Sequence, residues 1–466
     1  MRVKPKVSNF RVTISPARSA AFDILLRVDR EGSYASELLH SKKYEALSAV
    51  DRSLATELVM GVLRWQSMLD RELAVTSSRA LAKLDAEVVT ALRLALYQLR
   101  YLDRIPAWAA IDGSIELVKH ARKRSAAPFV NAILRKLSSV TSVNAKEGAL
   151  AVDSYSPESI AESYAHPLWL VERWTQVYGI PPALAISRSD QSIPSTVIRL
   201  RDPKAEMQLR AEGIELIAGP LLASARIVRH GDVTKTVAFQ EGRCVIQDEA
   251  SQLVAALVGH GVRILDCCAA PGGKTLAIAD RNPQAEIAAV ELHPHRARLL
   301  KRLISAQTRT FNSASRQIQV IAADARSLPL GAKFERVLVD VPCSGTGTLA
   351  RNPEIKWRLN AADFSDLQTR QFAILHSAMK HVAVGGRLVY STCSLEKEEN
   401  QDVIERSLVE DSSFRLLDCA TELERLRQEG VLVWPDPCSL ARGSFLRTIP
   451  GVHSCDGFFA AMLEKA

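Results

Sequence analysis

The sequence predicts an α/β domain with a mostly parallel sheet, preceded by an all-α bundle and a small α+β module. Three observations carry that prediction. From residue 262 onward, short apolar runs alternate with helical stripes in the order strand, helix, strand. Over residues 15–140, helical stripes follow one another with no convincing strand between them. The length, 466 residues with 47% hydrophobic, suits two or three domains with cores of ordinary size.

In chain order, residues 1–14 read as a basic arm. Ser15-Pro16 then supplies an N-cap followed by proline at the first helical position. Four stripes follow: Ala21, Ile24, Leu25, Val28; Leu54, Leu58, Val62, Trp65; Val88, Leu92, Leu96, Leu99; and Val130, Ile133, Leu134, Leu137. Residues 141–155 read as a linker, and Ser156-Pro157-Glu158 as another cap. Trp169, Trp174 and Tyr178 lie on the next helical stretch, where core packing is favoured over base stacking. Short β-type runs at 196–200, 225–228 and 243–246 complete a small α+β module over 156–250. The main domain spans 251–466, with strand ends expected at Asp266, Glu291, Asp324, Asp340 and Ser391.

The net charge of +8 is unevenly placed. Residues 1–140 carry 23 Lys/Arg against 14 Asp/Glu, and the remainder 37 against 38. An N-terminal third holding all the excess positive charge suits a polyanionic partner such as RNA. Lys119, Arg122, Lys123 and Arg124 form its densest cluster, equally suited to a helix C-terminus and to phosphates. The eight cysteines show no C-x-x-C pair, so no metal site is expected, and free thiols suit a reducing cytoplasm. There is no secretory h-region and no apolar run of membrane-spanning length, so a cytoplasmic, monomeric protein away from membranes is expected.

The stretch from Val262 to Thr275 organises the main domain. An apolar run ends at Asp266, and Cys267-Cys268-Ala269-Ala270-Pro271-Gly272-Gly273-Lys274-Thr275 turns into a helical pattern. Strand, tight loop and helix form the layout that binds a nucleotide-like ligand at a helix N-terminus. A phosphate-binding P-loop needs glycine where Cys268 stands, and the G-x-G-x-x-G dinucleotide spacing is absent. S-adenosylmethionine (SAM) needs close backbone approach and acidic groups for its ribose, so residues 268–274 are assigned to SAM. Glu291, about twenty residues on, is placed to accept ribose hydroxyls, and Asp324 to accept from the adenine amino group.

Asp340 opens Asp340-Val341-Pro342-Cys343-Ser344, and the next strand end carries Ser391-Thr392-Cys393-Ser394. Two thiols at the carboxyl ends of adjacent strands face one cleft. Beside a methyl donor they suggest a definite chemistry. Carbon 5 of cytosine is a poor nucleophile until a thiolate adds to carbon 6. The base has to leave any stack to be reached. Asp340 is the candidate acid near ring nitrogen 3.

These motifs resemble the Sun/RsmB family of RNA cytosine-C5 methyltransferases. Gln247-Asp248-Glu249-Ala250-Ser251, Asn352-Pro353-Glu354-Ile355-Lys356-Trp357 and Asp456-Gly457-Phe458-Phe459 share the resemblance, and residues 15–140 are similar in helix pattern and length to NusB-like RNA-binding domains. The resemblance implies a Rossmann-like SAM-dependent catalytic domain. It implies Cys393 as the thiol attacking carbon 6 and Cys343 as the thiol assisting product release. It places residues 268–274, Glu291, Asp324 and Asp340 on cofactor positions, and it implies a cytosine of 16S ribosomal RNA as substrate. Two departures stand out. Glu291 occupies a position where aspartate is usual, and Cys267 one where an apolar residue is usual. The competing readings are another RNA substrate (tRNA or 23S ribosomal RNA), a non-catalytic RNA-binding or antitermination factor, and a P-loop NTPase.

Overall fold

The computed structural model describes residues 14–77, 79–139, 155–308 and 318–466. The expected basic arm, apart from residue 14, and the expected linker, apart from residue 155, lie outside them. Two compact units result. One comprises the chain up to Ser192 together with Leu349–Arg358; the other comprises Ile193–Thr348 and Leu359–Ala466.

The first unit is helical: α1 (Pro16–Glu31), α2 (Ala35–Leu39), α3 (Ala49–Thr76), α4 (Ala86–Tyr101), α5 (Ala107–His120), α6 (Ala127–Ser139), α7 (Pro157–Ser163), α8 (Leu168–Tyr178) and α9 (Ile180–Gln191). Pro16 sits in the first turn of α1, and Gly32 ends the helix in the left-handed conformation that a side chain would disfavour. Ser48 caps α3 by accepting from the Asp51 amide. The four stripes converge on one core, in which Ile24, Leu58, Leu92, Leu96, Val130 and Leu134 are buried. Gly61 lets α3 and α4 approach closely, since a Cβ there would lie 1.9 Å from the Tyr97 ring. Of the three aromatics on the stretch around α8, Trp174 is buried in the core, and Trp169 and Tyr178 are half-buried.

The second unit opens with β1 (Thr196–Leu200), α10 (Ala205–Ala211), β2 (Glu215–Ala218), β3 (Ala225–His230), α11 (Val237–Gln240) and β4 (Cys244–Ile246). These strands form a four-stranded antiparallel sheet in the order β2-β3-β1-β4. Then come α12 (Glu249–Leu257), β5 (Arg263–Asp266), α13 (Gly273–Arg281), β6 (Glu286–Glu291), α14 (Pro294–Thr308), β7 (Ile318–Ala322) and β8 (Phe334–Asp340). After α15 (Ile355–Arg358), which belongs to the first unit, follow α16 (Asp363–Met379), β9 (Val382–Thr392), α17 (Gln401–Glu410), β10 (Phe414–Leu417), α18 (Cys419–Gln428), β11 (Ala441–Arg442), β12 (Phe445–Thr448) and β13 (Phe458–Lys465).

The large sheet runs β11-β12-β13-β9-β8-β5-β6-β7, with β10 paired to β13. From β9 to β7 every pairing is parallel, and β10 to β13 add an antiparallel flank. Of the parallel strands, β5, β6, β8 and β9 are largely apolar and buried, and β7 forms the more exposed edge, which is the Rossmann-like arrangement. Strand order reverses between β5 and β8, and ligands of open α/β sheets bind at that switch point. Asp266 and Asp340 end these two strands.

Three sequence expectations need correction. β7 ends at Ala322, two residues before Asp324, because Asp324 instead caps a short 3-10 turn. Helices α7–α9 pack in the helical unit rather than with the small sheet that follows them. Residues 349–358, expected within 251–466, also join the helical unit. Ala35 N donates to Glu354 Oε1 (2.8 Å), Lys356 Nζ to the Arg64 carbonyl (3.0 Å), and Trp357 Nε1 to the Leu63 carbonyl (2.6 Å). Arg358 donates to the carbonyls of Val28, Gly32 and Ser33, which capture the end of α1 and the turn after it. Periodicity reveals a helix but not the body it packs against. No helix among the described residues is long and apolar enough to cross a membrane.

Candidate active site

The site is built at the carboxyl edge of the parallel strands. β8 and β9 pair in register, with Asp340 opposite Ser391, so the loops that follow leave the sheet side by side. Cys343 lies three residues past the end of β8, and Cys393 directly follows β9. Their sulfurs are 3.1 Å apart. The hydrogen bond with Cys393, then burial, push the Cys343 thiol well above its usual range. Gly347 N donates to the Cys393 carbonyl (2.9 Å), which ties the two loops again. Gly347 also meets Gly457 so closely that a Cβ would lie 2.2 Å from the Gly457 carbonyl oxygen.

Asp340 is held at both oxygens. Lys274 Nζ donates to Oδ2 (2.8 Å) and Ser391 Oγ to Oδ1 (2.7 Å). Burial pulls the Lys274 ammonium down, but the Asp340 charge and hydrogen bond lift it above its usual value. The ammonium also lies 4.9 Å from the centre of the Phe458 ring. Lys274 was expected among the cofactor residues; its amine is engaged with the acid beside the thiols.

The loop before α13 has the expected form. Ala269 is buried and bonded to β6 through the Val290 carbonyl, and the Ala270–Pro271 peptide is cis. Gly272 has φ of +112°, and a Cβ on it would meet Leu300 at 2.6 Å, so glycine is required. Cys267 is buried in the core beneath the sheet. Cys268 is partly exposed, with burial raising its thiol well above the usual range. Asp266 is 1% exposed, and burial pushes its carboxyl up to about 7 although Thr275 donates to Oδ2. Its Oδ1 is buried with no hydrogen-bond partner among the described residues.

The two outer acids differ. Glu291 ends β6, 5% exposed, with Oε1 accepting from the His293 amide (3.0 Å). Asp324 is turned toward its own loop. It accepts from the Arg326 amide and forms a two-pronged ion pair with the Arg326 guanidinium, whose hydrogen bonds hold its carboxyl below the usual range. Glu291 thus has the Arg296 guanidinium 3.8 Å from its Oε1, while Asp324 is paired closely with Arg326.

The fold and site define a class: a Rossmann-like methyltransferase with a glycine-bearing loop at the switch point and paired thiols on the neighbouring strand ends. The comparisons with known proteins agree. A family model described as 16S rRNA methyltransferase RsmB/F matches residues 256–464, and a NusB family model matches residues 15–139. The chain is 32% identical to the probable ribosomal RNA small subunit methyltransferase B of Bacillus subtilis, over 96% of this chain and 98% of that protein. It is 32% identical to ribosomal RNA small subunit methyltransferase B of Pseudomonas syringae, over 89% of each. Among solved structures, that of PH0851 superposes with a TM-score of 0.77 at 24% identity, covering 97% of this chain and all of that one. NSun6 from Pyrococcus horikoshii with SFG superposes at 0.53 and 20% identity, over 64% of this chain and 98% of that one. The chain therefore belongs to the RsmB/F family of small-subunit ribosomal RNA methyltransferases, with an N-terminal NusB-like domain. Its cofactor is SAM.

The residues present fit that cofactor. A buried acceptor without a partner on Asp266, the α13 N-terminus opened by Gly272-Gly273, and the acid at Glu291 offer what an amino-acid moiety and a ribose require. Sequence reasoning missed the pairing of Lys274 with Asp340, the hydroxyl of Ser391 on the same acid, and a buried network around Glu399. Lys274 and Asp340 are 66 positions apart, and no local pattern links them.

Proposed function

We propose that this protein methylates carbon 5 of one cytosine of 16S ribosomal RNA, through a covalent cysteine adduct at carbon 6, and that it acts in the cytoplasm. The observation that carries this reading is the thiol pair, 3.1 Å apart, beside an aspartate gripped by Lys274 and Ser391. When bound, SAM supplies an electrophilic methyl group. Cys393, as thiolate, forms the sulfur–carbon 6 bond, and the displaced electron pair makes carbon 5 nucleophilic. The Lys274 ammonium, hydrogen-bonded to Asp340, supplies through that acid a proton to ring nitrogen 3, which stabilises the adduct. After transfer, water takes the proton on carbon 5, and that C–H electron pair re-forms the carbon 5–carbon 6 double bond. The carbon 6–sulfur bond breaks with Cys393 leaving as thiolate, and ring nitrogen 3 returns its proton to the Lys274–Asp340 pair. Cys343 assists this release, its sulfur 3.1 Å from that of Cys393.

The experiment compares two single variants on undermethylated 16S RNA. Cys393→Ser should neither methylate nor form a covalent complex, because a hydroxyl is far less ionised than a thiol. Cys343→Ser should attack and methylate, then stall, leaving protein on RNA as a slow, nuclease-sensitive band on a denaturing gel. Trapping by Cys393→Ser alone would reverse the roles, and two fully active variants would end the thiol mechanism. Bisulfite sequencing of ribosomal RNA from a deletion strain and its parent should show one 16S cytosine losing protection. Loss at a 23S or tRNA cytosine would move the substrate.

A further inference from the structure

Behind the two thiols lies a buried polar cluster that touches neither sulfur. Glu399 sits between β9 and α17, fully buried. Its carboxylate receives four hydrogen bonds. Oε1 accepts from the Ser344 amide (2.8 Å) and from Gln371 Nε2 (2.8 Å), and Oε2 accepts from the hydroxyls of Ser344 and Ser394. Ser344 follows Cys343, and Ser394 follows Cys393. Gln371, on α16, also donates to the Pro342 carbonyl (3.0 Å), so the peptide units on both sides of Cys343 are held. The neighbouring Asn400 does the same for the other loop: Nδ2 donates to the Ser394 carbonyl (2.9 Å), and Thr392 Oγ1 donates to Oδ1. Tyr390 on β9 fixes the Glu399 backbone through its carbonyl (2.6 Å).

We propose that Glu399 is a positioning residue for both thiols: one buried carboxylate ties the Cys343 loop to the Cys393 loop and sets the spacing of their sulfurs. The inference rests on the two-thiol reading above. The chemistry explains the residue type. A carboxylate is acceptor-only and has room for four donors, whereas a glutamine offers one oxygen and two donor hydrogens of its own. Burying an acid is costly unless its lone pairs are satisfied, and here all four donors come from the two thiol loops and the helix that backs them. No neutral side chain of that length could take the same four bonds. The sulfurs need the tie because a nucleophile displaced by about 1 Å can lose on the order of 100-fold in rate.

The test uses the full-length protein with SAM and undermethylated 16S RNA, in single-turnover and steady-state assays, with thermal melting alongside. Glu399→Gln should bind SAM within about twofold of wild type and keep its KM for RNA, while kcat falls about 10- to 100-fold. Two further variants cut one tie each. Ser394→Ala should slow formation of the covalent RNA adduct. Ser344→Ala should form the adduct at a near-normal rate and accumulate it, because the release thiol is the one displaced. A purely structural role would lower the melting temperature without separating these two steps. A folded Glu399→Gln with kcat within threefold of wild type overturns the proposal. If Glu399→Gln does not fold, the serine variants decide: step-specific defects support the tie, and equal or absent effects on both steps overturn it. A wild-type protein that forms no adduct and no 5-methylcytosine overturns the earlier reading instead, so the two failures are told apart.

Discussion

Lys356 offers a test of how the segment 349–358 is held in the helical unit. Its side chain is 1% exposed, with Nζ donating to the Arg64 carbonyl (3.0 Å) and lying 5.0 Å from the centre of the Trp357 ring. Burial pushes its ammonium from the usual 10.5 down to about 7, with Asp190 opposing and Arg64 adding to the shift. The sign follows from proton counting. Between pH 7 and 10.5 the unfolded chain carries a proton on Lys356 that the folded chain has released. Stability from this group therefore rises with pH across that window, and the penalty is full below it. Integrated from pH 7 to 10, the two values correspond to a few kcal/mol, roughly 3 to 4. Lys356→Met keeps the length and abolishes the titration. The stability difference between variant and wild type should shift toward wild type by that order as pH rises from 7 to 10. Urea unfolding followed by tryptophan fluorescence reads it, since five of the six tryptophans (65, 108, 169, 174 and 357) belong to the helical unit. A difference that stays flat over the three pH units would refute the argument and mean that Asp190 or water keeps the ammonium charged when folded.

Two further outcomes are expected. Glu291→Ala removes a 5%-exposed carboxylate from the end of β6, and the lost acceptor should cost about 1.5–3 kcal/mol, a 10- to 150-fold rise in the SAM dissociation constant by calorimetry; unchanged affinity would remove Glu291 from the ribose. Lys119 and Arg124 line an open depression of about 520 Å³ with Ile14, Glu116 and His120, and replacing both with Gln should lower the salt slope of RNA affinity by about one to two, as fewer counterions are released. An unchanged slope would mark the cluster as a solvated helix end, the more so since Lys119 already pairs with Glu116 (2.7 Å).

What the sequence determined by itself is local or periodic. The stripes of α1, α3, α4 and α6 state their helices because an apolar face repeats every three to four residues. Asp266, Glu291 and Asp340 terminate strands where apolar runs stop, as the run pattern requires. The loop at 268–274 was legible because proline fixes its own φ and glycines allow a turn that other residues rarely adopt. Tertiary structure decided what depends on partners distant in the chain. The two sulfurs meet because β8 and β9 are neighbours in register, although Cys343 and Cys393 are 50 residues apart. Lys274 reaches Asp340, and Asp324 turns to Arg326, because each charge takes the nearest counter-charge the fold supplies. Residues 349–358 leave the catalytic unit because α1 and α3 present carbonyls that Arg358, Trp357 and Lys356 can satisfy. Glu399 draws both thiol loops together for the same reason: a buried acceptor is stable only where donors converge, and convergence is a property of the packed chain.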